Sequence, residues 1–194
     1  MSPRSRRNPN GWCISDASVA RHDEHLIGQI NKLVLSKDEL WILGDFCWGP
    51  RGKGILDFAH KYRDAINCRN VCFVWGNHDQ RVIAPLFTRT YDRFRLRWQS
   101  ERIILTHCAH AVWEGSHHGA WNLYGHSHTT AEEALDKFMP GRRSIDVGVD
   151  NAFRLFGEYR PLSLEEIRDF FKNKPGHSID HHRPGEITQE KDND

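Results

Sequence analysis

The sequence contains no hydrophobic run that approaches the roughly 18 apolar residues of a membrane span. Its first ten residues are polar and basic, and because no apolar stretch follows them we do not expect a secretory signal. The five cysteines include no C-x-x-C pair, so a disulfide framework is not expected either. These absences predict a protein of the reducing cytoplasm that does not associate with a membrane.

The chain also lacks an excess of charge of either sign. It has 27 basic and 26 acidic residues, which leaves a formal net charge of +1. A general basic field that would attract nucleic acid is therefore missing, and so is an acidic field that would repel anionic substrates. Arg93, Arg95 and Arg97 alternate with bulkier apolar residues, which is the period of a half-exposed strand. We interpret them as a solvated strand face rather than a phosphate-binding site, and we do not expect nucleic acid as a partner.

The length of 194 residues suits one domain with a sizeable core, and the sequence shows no internal repeat. Helical spacing of apolar residues predicts helices over residues 22–35 and 55–66, and a short helix over residues 81–86. Ser163 and Glu166 form a capping box that predicts the start of a last helix. The predicted organisation is a flexible N-terminus over residues 1–10, one domain over 11–172, and a disordered tail over 173–194.

Four strand-like apolar runs each end on side chains that can bind a metal. The metal-competent residues that follow these runs are Asp45, then Asn77, His78 and Asp79, then His107, and finally His126 and His128. Open α/β sheets place their ligands at such strand ends. Carboxylate, amide and imidazole donors without a thiolate suit Mn²⁺, Fe²⁺ or Zn²⁺. Because the donors are far apart in sequence, we expect folding to bring them together into one site, as it does in catalytic metal sites.

Gly44-Asp45, Gly76-Asn77-His78-Asp79, His107 after an apolar run and Gly125-His126-Ser127-His128 occur in this order along the chain. In these motifs and their order the sequence resembles the calcineurin-like metallophosphoesterase superfamily, and it is most similar to the small single-domain bacterial and phage members. The resemblance runs from about Ile14 to the helix after Ser163. It implies an α/β fold, a four-layer α/β/β/α sandwich of two mixed sheets flanked by helices.

The resemblance implies a metal-dependent phosphoesterase with a two-metal site. Asp45 would bridge the two ions. One ion would also be bound by His128 and Asp16. The other would be bound by Asn77, His107 and His126, which is a complete set of ligands. The implied ligands are Asp16, Asp45, Asn77, His107, His126 and His128. Manganese is the metal we expect first, with iron, zinc, nickel or magnesium as alternatives.

Two further residues receive roles from the same resemblance. A bridging hydroxide would attack a phosphomonoester or a phosphodiester in line, while His78 stabilises the phosphoryl oxygens or protonates the leaving oxygen. Asp79 would either orient a histidine ligand or cap the following helix, and the cap is the preferred interpretation. The expected partner is thus a small phosphoester substrate, and nothing in the sequence indicates an oligomeric state.

The first motif departs from the family pattern. Family members have Asp-x-His after the first strand, whereas this chain has Asp16-Ala17-Ser18 and a short connection to the first helix. His22 or His25 could replace the histidine only by turning inward, and we expect both to face solvent at the start of that helix. The ion that depends on Asp16 therefore lacks a ligand, so we expect its position to be weak or empty.

This departure leaves an alternative function open. A catalytically impaired member of the same fold could act as a binding module, as a retromer subunit of this family does. A structural metal protein is disfavoured because no cysteines are predicted as ligands. Trp48 occupies the position of the second aspartate of the protein phosphatases, which argues against their chemistry. Trp48, Trp75, Trp113 and Trp121 could stack a base, but we interpret all four as core residues.

Overall fold

The structure is a computed structural model that describes residues 6–7, 13–14, 16–49, 52, 54–176 and 179, with side chains from residue 19 onward. These residues form nine strands, five α-helices and two 3₁₀ helices. The strands are β1 (Arg6–Arg7), β2 (Cys13–Ile14), β3 (Glu39–Ile42), β4 (Asn70–Val74), β5 (Arg89–Tyr91), β6 (Phe94–Trp98), β7 (Glu101–Leu105), β8 (Trp121–Tyr124) and β9 (Ser144–Asp146). The α-helices are α1 (Asp16–Leu33), α2 (Gly54–Asp64), α3 (Glu132–Phe138), α4 (Val149–Phe156) and α5 (Leu164–Phe171), and the 3₁₀ helices are Arg81–Leu86 and Ser116–His118.

The first large sheet has the order β3-β4-β5 and is parallel throughout. Its central strand β4 is buried from Val71 to Val74 and so on both faces, which is typical of a parallel sheet that is covered on both sides. Val71 and Phe73 of β4 pack with Ile55 and Ala59 of α2, and Ile30 of α1 joins the same cluster. Helices α1 and α2 therefore cover one face of this sheet.

The second large sheet has the order β6-β7-β8-β9 and is mixed, since β6 is antiparallel to β7 while the other pairs are parallel. Its inner face meets the first sheet, where Val74 packs with Ile103 and the ring of Trp41 stacks on that of Phe94 at 4.6 Å. On the outer face the hydroxyl of Tyr124 bonds to Glu132 at the start of α3. The predicted α/β sandwich of two sheets flanked by helices is confirmed, although only the second of these sheets is mixed.

The start of the chain differs from the prediction. The sequence predicts a first strand ending at Asp16, but β2 covers only Cys13–Ile14 and pairs with β1 alone, and Asp16 is the first residue of α1. A carboxylate in the first turn of a helix is favoured by the helix dipole, so Asp16 suits this position. The flexible N-terminus predicted over residues 1–10 lies outside the described residues apart from β1.

The other predicted elements agree with the structure in part. The hairpin of β6 and β7, helix α2 and the Ser163–Glu166 capping box are confirmed. The predicted helix over residues 81–86 is a 3₁₀ helix that contains Pro85, which lacks the N–H that an α-helix would need there. The sequence does not predict helices α3 and α4, and both are short and lack a side-chain cap at their start.

The predicted disordered tail begins too early in the chain. The backbone N–H of Gly176 donates to the carbonyl of Gly141 at 3.1 Å, and Arg143 Nε donates to the carbonyl of Lys174 at 3.0 Å. Residues 173–176 therefore pack on the loop before β9. The rest of the predicted tail lies outside the described residues apart from Ile179.

None of the helices in the described part of the chain combines the length and the apolar character that crossing a membrane requires.

Candidate metal centre

Four strand ends bring four of the predicted ligands to one point. His107, which follows β7, is central to the group and is only 7% exposed. Its Nε2 lies 2.9 Å from Asn77 Oδ1, 3.1 Å from His126 Nδ1 and 3.4 Å from Asp45 Oδ2. These partners follow β4, β8 and β3, so both large sheets contribute to the cluster.

The hydrogen bonding of His107 fixes which ring nitrogen faces the cluster. Its Nδ1 lies 2.7 Å from the carbonyl oxygen of Leu43, and a carbonyl only accepts, so Nδ1 carries the proton. In the neutral ring Nε2 then presents a lone pair towards Asn77 Oδ1 and Asp45 Oδ2, which are also electron-pair donors. A hydrogen bond of this kind, from the other ring nitrogen to a backbone carbonyl, is what orients metal-binding histidines.

These donors fit a transition metal by distance as well as by type. Ligand distances of about 2.0–2.2 Å place neighbouring donors about 2.9–3.5 Å apart around the ion. The three separations from His107 Nε2, 2.9, 3.1 and 3.4 Å, lie in this range. A cation placed among the four side chains would satisfy lone pairs that otherwise face one another. The cluster of Asp45, Asn77, His107 and His126 can therefore hold a divalent metal.

Asp79 fixes the two turns that carry the oxygen ligands. Its carboxylate accepts the backbone N–H groups of Asp45 at 2.7 Å, Gly76 at 2.7 Å and Phe46 at 3.0 Å. Burial raises the pKa of Asp79, while these three N–H groups act in the opposite direction. The preferred interpretation of Asp79 as a helix cap is wrong, because the 3₁₀ helix that follows has Gln80 at its start and no side-chain cap. Asp79 instead ties the turn after β3 to the turn after β4, and so positions Asp45.

Gly44 is required where these turns meet. Its φ of +92° lies in the left-handed region, and a Cβ at this position would lie 2.3 Å from His107 Nδ1 and 2.7 Å from the Cα of Gly76. Asp45 itself has a positive φ of 54°. The close approach of the two turns to His107 therefore depends on the absence of a side chain at position 44.

Replacing Gly44 by alanine is expected to destabilise the protein and to weaken metal binding. Gly157, at the end of α4, has a φ of +75°, and a Cβ added there would meet nothing within 4 Å, so Gly157→Ala tests the backbone conformation alone. We expect about 1–2 kcal/mol for Gly157→Ala, and about 1–3 kcal/mol more for Gly44→Ala from overpacking. Urea unfolding measures both, and equal losses in the two variants would contradict the contact with His107.

His128 lies beside this cluster and has a carboxylate partner. Its Nδ1 is 2.5 Å from Asp150 Oδ2, so Nε2 is the ring nitrogen left for a ligand. Asp45, His107, His126, His128 and Asp150 line one cavity of about 460 Å³. Sequence reasoning missed Asp150, although a carboxylate directly after the apolar run that ends at Val149 was a usable signal. The structure thus places His128 at the same cavity as Asp45.

Asp146 holds the loop that carries both histidines, and sequence reasoning missed it as well. Its Oδ2 accepts the N–H of Thr129 at 3.2 Å and the hydroxyl of Ser127 at 3.3 Å. His126, His128 and Thr129 all have positive φ values, at 67°, 46° and 70°. Such conformations persist only where the surrounding contacts determine them, and they cluster at functional sites.

His78 and Trp48 form the exposed edge of the site. The His78 side chain is exposed, and its backbone N–H donates to Asp45 Oδ1 at 3.1 Å. The Trp48 ring lies 4.6 Å from the His78 ring and is 66% exposed, so its interpretation as a core residue is wrong. The other three tryptophans named above are buried, as expected.

The remaining predicted residues lie apart from the cluster. The side chains of Asp16 and Ser18 lie outside the described residues, so the ligand set of the second ion stays a prediction. His22 and His25 are exposed, as expected, but they lie within α1 rather than at its start. The outward-facing arginines of β6 are exposed too, and Arg95 pairs with Glu114 at 2.6 Å, which confirms the solvated strand face.

Comparison with known proteins gives one similar sequence. A protein of Methanocaldococcus jannaschii, described as uncharacterized protein MJ1445, is 25% identical over 154 residues, which cover 78% of this chain and 76% of that protein. No protein-family model matches the chain, and no solved structure matches it. The resemblance to calcineurin-like metallophosphoesterases therefore stays a prediction.

Proposed function

We propose that this protein is a metal-dependent phosphoesterase of the calcineurin-like type that hydrolyses a small phosphomonoester or phosphodiester in the cytoplasm. The observation that carries the proposal is the convergence of Asp45, Asn77 and His126 on the Nε2 of His107. A divalent cation bound there, manganese by the resemblance, would supply a Lewis acid that polarises a phosphoryl oxygen and lowers the pKa of water.

The chain's own residues suit this chemistry. Asp45 faces both the His107 cluster and the cavity with His128, which is the position that a shared ligand needs. His78 stands exposed at the rim, where its ring can donate a hydrogen bond to a phosphoryl oxygen or a proton to a leaving oxygen. The exposed face of Trp48 next to His78 offers a surface for a planar leaving group.

A second candidate is a binding module that keeps the metal but has lost turnover. The departure at Asp16-Ala17-Ser18 favours it, because the ligand set of the second ion is one histidine short. The intact His107 cluster and the presence of His78 favour the enzyme instead.

The test is hydrolysis of bis-nitrophenyl phosphate and nitrophenyl phosphate by the full chain with added Mn²⁺. We expect turnover that EDTA removes and that added Mn²⁺ restores, with metal binding measured in parallel by equilibrium dialysis. A folded protein that binds Mn²⁺ without turnover would favour the binding module. A folded protein that binds no divalent metal would contradict both candidates.

A further inference from the structure

A thiol stands at the edge of the candidate metal centre. Cys108 follows His107 directly, and its Sγ, one ring nitrogen of His107 and one of His126 all lie within 4.8 Å of one another. The sequence predicts a ligand set without thiolate, so this sulfur is an addition to the predicted site. The cluster combines one buried imidazole with two exposed side chains, and a side chain that is exposed can move towards an ion at little cost.

The backbone holds Cys108 in this place. The hydroxyl of Thr106 donates to the carbonyl of Cys108 at 2.9 Å, which closes the turn after β7. The carbonyl of His107 accepts the N–H of Gly125 at 2.9 Å, which joins this turn to the loop that carries His126. A backbone hydrogen bond therefore joins the two turns and keeps the backbone of Cys108 close to the loop of His126.

The other described cysteines are placed differently. The thiols of Cys68 and Cys72 are buried and lie 3.3 Å from the carbonyl of Asp38 and 3.8 Å from Asn70 Oδ1. Cys47 is half-buried, and burial together with the charge of Asp79 raises the pKa of its thiol to about 11. Among the cysteines whose side chains the structure describes, Cys108 is thus the exposed thiol that lies with two imidazoles.

We propose that Cys108 is a further ligand of the ion held by His107 and His126, and that it gives this position a preference for zinc or a similarly soft cation. The inference rests on the proposed metal centre and concerns which ion the centre selects. A thiolate favours soft and borderline cations, whereas carboxylate and carbonyl oxygens favour manganese and magnesium. On binding, the thiol releases its proton to solvent and its sulfur forms a bond to the cation.

The geometry needs only a small adjustment for this coordination. With ligand distances of about 2.3 Å for sulfur and 2.0–2.1 Å for nitrogen, the two donors lie about 3.1–4.4 Å apart, depending on the angle between them. The three donor atoms lie within 4.8 Å of one another, so the separations of the sulfur from the two nitrogens are close to this range or inside it. Rotation of the exposed Cys108 side chain about its first torsion moves its sulfur relative to the two rings, so the thiol can adjust its position when an ion binds.

Cobalt replaces zinc in such sites and reports its ligands by absorption. We expect the full chain loaded with Co²⁺ to show visible ligand-field bands and a near-ultraviolet sulfur-to-cobalt charge-transfer band. Cys108→Ser should lose the charge-transfer band and keep the visible bands, while the control Cys47→Ser should keep both. The ratio of Zn²⁺ affinity to Mn²⁺ affinity should fall in Cys108→Ser, because the thiolate favours the softer cation.

The possible outcomes separate this inference from the proposed function. Visible bands without a charge-transfer band in the unchanged chain would overturn the role of Cys108 and leave the metal centre intact. A charge-transfer band that survives in Cys108→Ser would also overturn it. The absence of any bound cobalt in a folded chain would remove the metal centre and the proposed function together.

Discussion

Replacing His107 by alanine is expected to abolish tight metal binding and to lower kcat/KM for the nitrophenyl phosphodiester by about a thousandfold, or about 4 kcal/mol of transition-state stabilisation. The reason is the central position of its Nε2, within 3.4 Å of donor atoms on Asp45, Asn77 and His126. Without this imidazole the ion would lose its central ligand, which lies next to donors from both sheets.

The measurement is equilibrium dialysis against Mn²⁺ and Zn²⁺, followed by kinetics at saturating metal. His107→Ala also leaves the Leu43 carbonyl without its donor, which costs about 1–3 kcal/mol in a buried setting. Thermal unfolding must therefore show that the variant is folded at the assay temperature. His25→Ala on the exposed face of α1 is the matched control and should bind metal as the unchanged chain does. A folded His107→Ala variant with unaltered metal affinity would contradict the proposed centre.

The sequence indicated the architecture because the signals involved are local. The apolar runs that end at Asp45, Gly76 and His107 are buried strands whose polar ends meet at one edge, as the rule for open α/β sheets predicts. The capping box at Ser163 was recognisable for the same reason, since both partners lie within one turn.

The parts that the sequence did not indicate depend on contacts between distant residues. Asp79 resembles a cap in the sequence because only its neighbours are visible there, whereas two of its three partners lie 33 and 34 positions away. The exposure of Trp48 likewise depends on whether a distant element of the chain packs against it, and the local sequence does not indicate this. The proximity of Cys108 to His126 arises from the pairing of β7 with β8, so the thiol could not be assigned to the cluster beforehand.

One such long-range assembly is a buried ionic network behind the loop that carries His126 and His128. The Arg142 side chain is fully buried and donates to Tyr124 Oη, Glu132 Oε2 and Asp136 Oδ1, each at 3.0 Å. Burial and the neighbouring Glu132 carboxylate raise the pKa of Tyr124, which keeps its hydroxyl protonated as a donor. Glu132 Oε1 in turn accepts the backbone N–H of Asp146 at 3.2 Å. The network thereby links α3 to β8 and to the residue that holds the histidine loop.

Replacing Arg142 by methionine is expected to lower the free energy of unfolding by about 3–5 kcal/mol, because the Glu132 carboxylate would stay buried without its partner. Native domains are stable by about 5–15 kcal/mol, so this loss is a large part of the whole. Urea unfolding followed by circular dichroism measures it. Lys137→Met is the matched control. It removes an exposed ion pair between Lys137 and Glu133 of α3 and should change stability little.

The double variant Arg142→Met with Glu132→Gln shows whether the unpaired charge of Glu132 causes the loss of stability in Arg142→Met. Neutralising Glu132 removes the uncompensated carboxylate, so the double variant should regain part of the stability that Arg142→Met loses. Losses that simply add in the double variant would contradict the coupling, and a loss in Arg142→Met no larger than in Lys137→Met would show that the network contributes nothing to the fold.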